Sequence, residues 1–354
     1  MQKKKILILP GALKAGGAET VARDIALFSN RERYEFHYVV YGSEVGEYEA
    51  ALQEFGCRIF HFPEPSENYV RYLCKLFRLL LREDYHAVHA HTMFSCGWAM
   101  GAAWFAGVPV RVAHAHSALL DGGGWGKDSY EAMMRWLILH CATVLAACAE
   151  PAGLRLFGDR AWEERGILLP NGIDNGAFSY RVENRRTIRG RYGLENCFVI
   201  GHAGRLDGVK NQSFLLDLLP ELRKIRPDAR LLLLGEGKDR LMLEQKIKAM
   251  GLSDYVIMAG NVTDVDVCCS AMDVFCFPSL YEGMPLALLE ARANGLPCLV
   301  SDRVESDGLP LEKPDAWVAA ICKARRGDAN PGPDIREAME RVYALYEQNK
   351  GFVP

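Results

Sequence analysis

Residues 278–291 (PSLYEGMPLALLEA) place two carboxylates beside the start of a predicted helix. Glu282 lies in a loop, Gly283 permits close approach of the backbone, and Pro285 suits the first turn of a helix. Glu290 follows Glu282 by eight residues, about two helical turns. The N–H groups of a helix N-terminus bind phosphate, and carboxylates accept hydrogen bonds from sugar hydroxyls. Two glutamates at this spacing are common, but together with the Glu-Gly-x-Pro start they indicate a ligand site.

A basic pair forms a second candidate site. The apolar run 198–203 is followed by Gly204 and Arg205, and Lys210 comes five residues after Arg205. An arginine fork and a lysine point charge between a strand and a helix could neutralise a diphosphate from two directions. A generic basic loop is the alternative interpretation.

Gly16 and Gly17 are the candidates nearest the start of the chain. They follow the first predicted strand and precede a helix expected to begin near residue 19. Helix N–H groups could bind an anion there, and the glycines would let a ligand approach the backbone. A plain tight turn is equally consistent with these residues.

Pairs of alternating histidines end two of the predicted strands. His114 and His116 point to the same side of their strand, and the glycine-rich loop 122–124 follows. They could orient a sugar or hold a reacting group, or they could be hydrogen-bonded polar residues with no further role. His89 and His91 repeat the pattern and favour a structural role.

The cysteines and acidic residues predict no metal site. The 11 cysteines include no Cys-x-x-Cys pair, and no His/Cys cluster has the spacing of a zinc site along the chain. They favour reduced, mostly buried thiols in a cytosolic protein over a disulfide framework. Asp264 and Asp266 fit an Asp-x-Asp spacing, but a charged turn or helix is the favoured interpretation.

Short runs rich in Val, Ile and Leu alternate with longer amphipathic stretches along the chain. Most runs are continuously apolar, which is typical of parallel sheets covered by helices on both faces. The sequence therefore predicts an α/β fold with two Rossmann-like, doubly wound lobes that bind ligands beyond the carboxyl ends of their strands. The polar segment 174–191, with its arginine-rich stretch 181–191, is expected to be a solvated linker between the lobes.

Composition narrows the classes of partner. The 354 residues contain 42 Lys and Arg against 45 Asp and Glu, which gives a formal net charge of −3. This balance argues against nucleic acid as a binding partner. No apolar stretch reaches the ~18 residues of a membrane-spanning helix, and the first apolar run is too short for a secretory signal. The helix predicted over 69–84 carries a basic stripe of Arg71, Lys75, Arg78 and Arg82. It could rest on an anionic membrane, but an ordinary helix with a solvated basic face is favoured.

These residues resemble a family 4 glycosyltransferase of the GT-B fold, in particular bacterial enzymes that build capsular and extracellular polysaccharides. The resemblance covers nearly the whole chain. It rests on 16–19 (GGAE), His116, 170–174 (PNGID), 204–205 (GR) with 210–211 (KN), 235–237 (GEG), and the pair Glu282 and Glu290. The chain departs from the pattern after Val304, where 309–314 (LPLEKP) follows within a few residues and relatives carry a longer segment.

The resemblance implies roles for residues of the second lobe. Arg205 and Lys210 would hold the donor diphosphate, and Glu290 would bind the ribose hydroxyls. The donor sugar and phosphate would be bound by Glu282 with the backbone of Gly283, Met284, Pro285 and Leu286. The base would lie near Gly260, Asn261 and Val262.

The resemblance also implies the remaining parts of the site and the domain organisation. His116 would face the donor sugar from the first lobe, and Gly16 and Gly17 would line the cleft near the acceptor and phosphate. An acceptor-side lobe is expected over 1–180 and a donor-binding lobe over 190–330. A C-terminal helix within 335–350 would cross back to the first lobe.

The implied reaction is sugar transfer with retention of anomeric configuration. The donor would be a nucleotide-diphosphate sugar, expected to be a UDP-sugar, and the acceptor a glycan or a polyprenyl-linked glycan. Family members typically need no divalent metal, so neither a metal nor a cofactor is expected. The protein is expected in the cytoplasm, with a peripheral contact to the inner face of the plasma membrane as an option.

Two other functions on this fold remain open from the sequence. One is a nucleotide-sugar 2-epimerase, although Arg205, Lys210 and segment 16–19 resemble the transferase more closely. The other is a non-catalytic nucleotide-sugar-binding subunit, against which the intact Glu282, Glu290 and His116 argue.

Overall fold

Two parallel β-sheets organise the chain, which the computed structural model describes over residues 3–14, 16–117, 125–262, 264–330 and 332–347. Unit 1 consists of Met1–Gly172 and Ile335–Pro354, and unit 2 of Ile173–Asp334. The predicted architecture of two doubly wound parallel-sheet lobes is confirmed. The division falls after Gly172, so residues 173–180, which the sequence analysis placed in the first lobe, belong to unit 2.

Unit 1 contains a seven-stranded parallel sheet. Its strands are β1 (Lys4–Gly11), β2 (Tyr34–Tyr41), β3 (Arg58–Phe62), β4 (Ala87–Ala90), β5 (Val110–Ala115), β6 (Val144–Ala147) and β7 (Gly166–Leu168). Its first seven helices are α1 (Gly17–Leu27), α2 (Glu49–Glu54), α3 (Tyr69–Glu83), α4 (Cys96–Phe105), α5 (Trp125–Cys141), α6 (Glu150–Phe157) and α7 (Asp159–Arg165). The strand order is β3-β2-β1-β4-β5-β6-β7. The strands before β4 are therefore added on one side of β1 and the later strands on the other, so the strand order reverses at β1.

Unit 2 contains a five-stranded parallel sheet. Its strands are β8 (Phe198–Ala203), β9 (Ala229–Leu234), β10 (Val256–Gly260), β11 (Val274–Phe277) and β12 (Cys298–Val300). Its helices are α8 (Val182–Tyr192), α9 (Gln212–Ile225), α10 (Arg240–Ala249), α11 (Val265–Ala271), α12 (Leu286–Ala293) and α13 (Pro314–Lys323). The strand order β10-β9-β8-β11-β12 reverses at β8.

The apolar strands of unit 2 bury both of their faces. Successive residues of a strand point to opposite sides of a sheet. One core accordingly takes Ile200, Leu231 and Leu233, and the other takes Val199, Leu232 and Leu234. Double coverage by helices explains why these strands are apolar without alternation.

The arginine-rich stretch 181–191 is not the solvated linker that the sequence predicted. Most of it forms α8, and two of its arginines hold one carboxylate: Arg185 Nη2 lies 2.5 Å from Asp273 Oδ1, and Arg189 Nη2 lies 2.7 Å from Asp273 Oδ2. The buried Arg189 also donates to the carbonyls of Ala271 and Cys197 at 3.0 and 2.9 Å. Two arginines of the stretch thus bind acceptors inside unit 2, while Arg181, Arg186 and Arg191 are exposed, and composition alone does not distinguish the two groups.

The last described helix, α14 (Ile335–Tyr346), belongs to unit 1. The Tyr343 hydroxyl donates to the carbonyl of Ile25 at 2.8 Å, and the Tyr343 ring stacks on Tyr34 with centroids 5.4 Å apart. His86 Nε2 lies 2.6 Å from the carbonyl oxygen of Tyr346. These contacts attach the C-terminal segment to α1, β2 and the start of β4.

Helix α3 packs one face and exposes the other. Tyr72, Leu76, Leu79 and Leu80 are buried, whereas Arg71, Arg78 and Arg82 are exposed. The basic face of α3 is therefore exposed, while its apolar face is packed in unit 1. Across the described residues, no helix combines the length and the apolar character needed to cross a bilayer.

Five histidines lie in the cores with 3% or less of their surface exposed: His37, His89, His91, His114 and His202. Burial lowers the pKa of each of them, in the case of His202 to about 4. A charged imidazole would lose its hydration in these positions, so the folded protein holds the neutral form.

Replacing Asp273 by Ala should destabilise unit 2 by about 3 kcal/mol, because the buried Arg189 would keep its charge and lose its carboxylate. The urea-unfolding midpoint reports the change. Glu164→Ala is the matched control, since it breaks an Arg160–Glu164 ion pair whose side chains are 91% and 59% exposed. That variant should lose less than about 1 kcal/mol. Equal effects of the two substitutions would contradict the anchoring role of Asp273.

Stability should fall as the pH is lowered from about 6.5 toward 4, because there the unfolded histidines bind protons that the folded protein excludes. For His202, with a folded pKa of about 4, the loss is about 2 kcal/mol at about pH 5. His202→Gln should therefore show a smaller difference in urea midpoint between about pH 7.5 and about pH 5 than the wild type. His140→Gln, at an exposed position, should match the wild type; no difference between the two variants would refute this account.

Candidate functional site

The loops after β8 and β11 meet because these strands are neighbours at the point where the strand order reverses. Lys210, in the loop after β8, places Nζ 2.5 Å from Oε1 of Glu282, in the loop after β11. The two side chains are only 18% and 13% exposed, and Lys210 Nζ lies 5.1 Å from the centre of the Phe277 ring. The structure thus joins two of the predicted site residues, which are 72 positions apart in the chain. Open α/β sheets bind ligands at this kind of crevice.

The backbone of the loop after β8 is held in place from several sides. Asp207 Oδ1 accepts hydrogen bonds at 3.1 Å from the N–H groups of Val209 and Lys210. Gln212 Nε2 donates to the carbonyl of Arg205 at 2.9 Å and lies 3.2 Å from Nε2 of the buried His202. Asp207, His202 and Gln212 belong to no motif in the sequence. Their only signal was polar residues in and beside an otherwise apolar strand.

Arg205 is placed differently from Lys210. Its side chain is 71% exposed, and its Nε lies 3.1 Å from Asp207 Oδ2. The structure therefore fixes the backbone of Arg205 and leaves its guanidinium in solvent contact, at the same loop but outside the Lys210–Glu282 pair.

The glycines after β9 bring two loops into backbone contact. A Cβ on Gly235 would lie 2.1 Å from the carbonyl oxygen of Gly204, and one on Gly237 would lie 2.2 Å from that of Leu206. Gly235 also has φ +129°, which disfavours other residues. These glycines are required by packing between the loops after β8 and β9, and Gly235 donates to the carbonyl of Gly260 at 2.8 Å.

Helix α12 begins at Leu286, one residue later than predicted. Pro285 is the N-cap, with φ −73° and ψ 113°, rather than a residue of the first turn. No side chain caps this N-terminus, and the N–H groups of Leu288 and Leu289 both reach the carbonyl of Pro285, at 3.2 and 3.4 Å. The first N–H groups of such a helix carry the positive end of its dipole. Gly283 and Met284 precede the cap and are half-buried.

The other predicted residues of unit 2 lie at two further positions. Glu290 is on α12, half-buried, and close enough to Cys269 to contribute to that thiol's raised pKa after the main effect of burial. Gly260 ends β10 with φ +74°, and a Cβ there would lie 3.1 Å from Oε1 of Glu236. Val262 packs partly against the apolar core, which leaves its backbone as the part able to meet a ligand.

Gly16, Gly17 and His116 belong to unit 1. Helix α1 begins at Gly17 rather than near residue 19, and Gly16 is its N-cap in extended conformation, with no capping side chain. The carbonyl of Gly16 accepts from Thr20 N–H at 2.8 Å. These glycines follow β1, where the strand order of unit 1 reverses.

His116 follows β5 and contacts a second histidine. Its Nε2 lies 2.7 Å from Nδ1 of His91, and their rings stack with centroids 5.0 Å apart. Burial lowers the pKa of His116 to about 4, so the imidazole is neutral near pH 7. The predicted loop 122–124 lies outside the described residues.

The chain matches family models along both units. Residues 16–172 match the model described as Glycosyl transferase 4-like domain, and residues 184–306 match Glycosyl transferases group 1. The chain is 32% identical over 364 residues to a protein assigned as glycosyltransferase EpsF in Bacillus subtilis (strain 168), covering 99% of this chain and 95% of that protein.

Two further similarities concern a curated enzyme and a solved structure. The chain is 29% identical over 259 residues to the UDP-Gal:alpha-D-GlcNAc-diphosphoundecaprenol alpha-1,3-galactosyltransferase of Escherichia coli, covering 69% of this chain and 66% of that enzyme. The crystal structure of Anabaena Alr3699/HepE in complex with UDP and glucose superposes with a TM-score of 0.80 at 20% identity, covering 96% of this chain and 98% of that one. The second similarity shows a shared fold. Both family models match the chain, the 32% identical relative covers 99% of it, and it has two doubly wound sheets. The chain therefore belongs to the family 4 glycosyltransferases of the GT-B fold.

Proposed function

We propose that the protein moves a sugar from a UDP-sugar to a glycan acceptor carried on a polyprenyl lipid, in the synthesis of a surface polysaccharide, with retention of anomeric configuration. The observation that carries the proposal is the half-buried ion pair between Lys210 and Glu282. Glu282 precedes Leu286, the first residue of α12, by four residues, and no side chain caps the N-terminus of that helix. This arrangement supplies an ammonium, a carboxylate and helix N–H groups, which are the groups that a diphosphate and a sugar require.

Lys210 is the main electrostatic group in this proposal. An ammonium has three N–H donors, so Lys210 can keep its contact with Glu282 and still donate to a phosphate oxygen. Negative charge grows on the diphosphate as the glycosidic bond breaks, and a cation already in place stabilises that charge without reorganisation. The exposed guanidinium of Arg205 reaches the diphosphate from solvent and exchanges its contact with Asp207 for phosphate oxygens.

The carboxylates and backbone groups orient the rest of the donor. Glu282 accepts from sugar hydroxyls while the start of α12, with Gly283 to Leu286, faces the phosphate. Glu290 accepts from the ribose hydroxyls. The base lies along the backbone of 260–262, where Gly260 offers no side chain to obstruct it.

Three residues of unit 1 have proposed roles of their own. His116 is neutral near pH 7, so it offers a sugar a hydrogen-bonding group rather than a cation. Gly16 and Gly17 present an uncapped helix start to phosphate or acceptor. Charge stabilisation by Lys210, Arg205 and helix N–H groups makes a divalent cation unnecessary for donor cleavage.

The chemistry of two similar proteins supports the identity of the substrates. The Escherichia coli relative takes UDP-Gal and an acceptor on diphosphoundecaprenol by name, and the superposed Anabaena protein was crystallised with UDP and glucose. A lipid-linked acceptor would bring the protein to the membrane, where the exposed basic face of α3 can rest on an anionic cytoplasmic surface. Val70 and Leu81, which are 72% and 61% exposed, flank this face. We therefore place the protein in the cytoplasm with a peripheral membrane contact.

Lys210→Ala and Glu282→Ala should each lower kcat at least ~100-fold, because each removes a group that meets the donor. Release of UDP and transfer of labelled sugar to a lipid-linked acceptor report the rate. Lys224→Ala is the matched control: it breaks an exposed ion pair with Glu221 in the same unit and should leave turnover unchanged. Thermal unfolding with and without UDP separates lost binding from lost folding, because a ligand of the folded state raises Tm.

Three outcomes would overturn parts of this assignment. Wild-type turnover by Lys210→Ala would remove the assigned donor site. Conversion of the donor to its 2-epimer without any acceptor would identify an isomerase. UDP-sugar binding with neither slow donor hydrolysis nor transfer would identify a non-catalytic subunit.

Excess chelator should leave the initial transfer rate unchanged, and the product should keep the donor's anomeric configuration by proton NMR. The first result is expected because Lys210, Arg205 and helix N–H groups already stabilise the leaving diphosphate. The second is expected from the family resemblance. Activity that disappears with chelator and returns specifically with Mg²⁺ would contradict the metal-independent mechanism. An inverted anomeric centre would contradict retention.

A further inference from the structure

Four histidines occupy one face at the carboxyl ends of two neighbouring parallel strands of unit 1. His89 and His91 alternate along β4 and the residue after it, and His114 and His116 do the same along β5. The register pairs His89 with Val112 and Ala90 with Ala113, which brings His91 opposite His114. Alternate residues share a face, so all four rings lie against one another, with neighbouring centroids 4.1–5.3 Å apart.

Three of these rings offer nitrogen atoms to a common centre. His89, His91 and His114 are 0%, 3% and 1% exposed, and one nitrogen from each lies within 4.8 Å of the others. His89 Nε2 and His114 Nδ1 are 3.1 Å apart. That separation suits a shared proton, and it also suits one metal ion, since two zinc–nitrogen bonds of ~2.0–2.1 Å at a near-tetrahedral angle span roughly 3.3 Å.

The outer nitrogens of the cluster are already oriented. His89 Nδ1 lies 2.7 Å from the Tyr346 hydroxyl, and His91 Nδ1 lies 2.7 Å from His116 Nε2. Histidine ligands of metal ions are held in this way, by a hydrogen bond from the ring nitrogen that does not bind the ion. The inner nitrogen of His91, Nε2, is buried with no hydrogen-bond partner in the described structure, and so is Nε2 of His114.

We propose that His89, His91 and His114 bind a divalent transition-metal ion of the zinc class. Neutral imidazoles in a buried site match zinc, cobalt or nickel and are poor ligands for Mg²⁺ or Ca²⁺, which take oxygen. Three nitrogens leave one position of a tetrahedral ion for water or hydroxide. The ion would bind His91 Nε2, a buried nitrogen that otherwise has no hydrogen-bond partner in the described structure.

Binding would also fix the proton on His116. An ion on Nε2 of His91 requires the proton of that ring to sit on Nδ1, which then donates to His116 Nε2. The remaining proton of a neutral His116 is thereby held on its Nδ1. The site belongs to unit 1 and its existence does not depend on the proposed sugar transfer.

Cobalt titration of the whole chain, free of any affinity tag, tests the site. We expect one equivalent of Co²⁺ to bind with the visible absorption of a tetrahedral ion, to be displaced by Zn²⁺, and to raise Tm, whereas Mg²⁺ does none of these. His91→Gln and His114→Gln should each weaken binding at least ~100-fold, in line with the loss of one of three ligands. His140→Gln controls for an exposed histidine on the same unit.

Several outcomes would overturn the site. No stoichiometric Co²⁺ absorption by the wild-type protein, or unchanged affinity in both His91→Gln and His114→Gln, would exclude it. If a variant unfolds, the wild-type titration with its Mg²⁺ control still decides. Because every readout is binding or stability, failure here leaves the transferase proposal intact, and failure of transfer leaves this site intact.

Discussion

The contact between Lys210 and Glu282 depends on one topological fact, the adjacency of β8 and β11 in the sheet of unit 2. Parallel strands place all their carboxyl ends at one edge, and reversal of the strand order opens a crevice between the loops that follow. A cation and an anion brought together there are each only partly hydrated. The pair is satisfied in itself, yet the remaining N–H groups of the ammonium keep it able to bind a further anion.

The residues around this pair contact the backbone of the loop after β8 rather than its side chains. Gly235 and Gly237 let the loop after β9 touch the loop after β8, and Gln212 fixes the carbonyl of Arg205. Nε2 of the buried His202 contacts Nε2 of Gln212, and burial keeps the His202 ring neutral. The loop therefore presents a main chain held by hydrogen bonds and one half-buried cation, while the guanidinium of Arg205 is exposed to solvent beside Asp207.

The sequence predicted the sheets because continuous apolar runs carry a strong signal, and the family resemblance implied that Lys210 and Glu282 bind one ligand. It did not predict their direct contact, which needs the strand order. Helix α8 was predicted to be a linker because the sequence does not distinguish an arginine that donates to buried carbonyls, as Arg189 does, from an arginine exposed to solvent. The short strand β7 has only three residues, too few for a periodic pattern.

The sequence indicated both pairs of histidines but not their meeting in one cluster, for a related reason. Rules for zinc sites count spacings along one chain segment, whereas His91 and His114 meet only through the register of β4 and β5. Four apolar residues would fill the same face at no cost in hydrogen bonding, and the imidazoles instead pair with one another and with Tyr346. Such pairing still leaves Nε2 of His91 and His114 without partners in the described structure. Pairing alone does not provide for Nε2 of His91, which the proposed ion would bind, whereas Nε2 of His114 stays without a partner when that ring binds the ion through Nδ1.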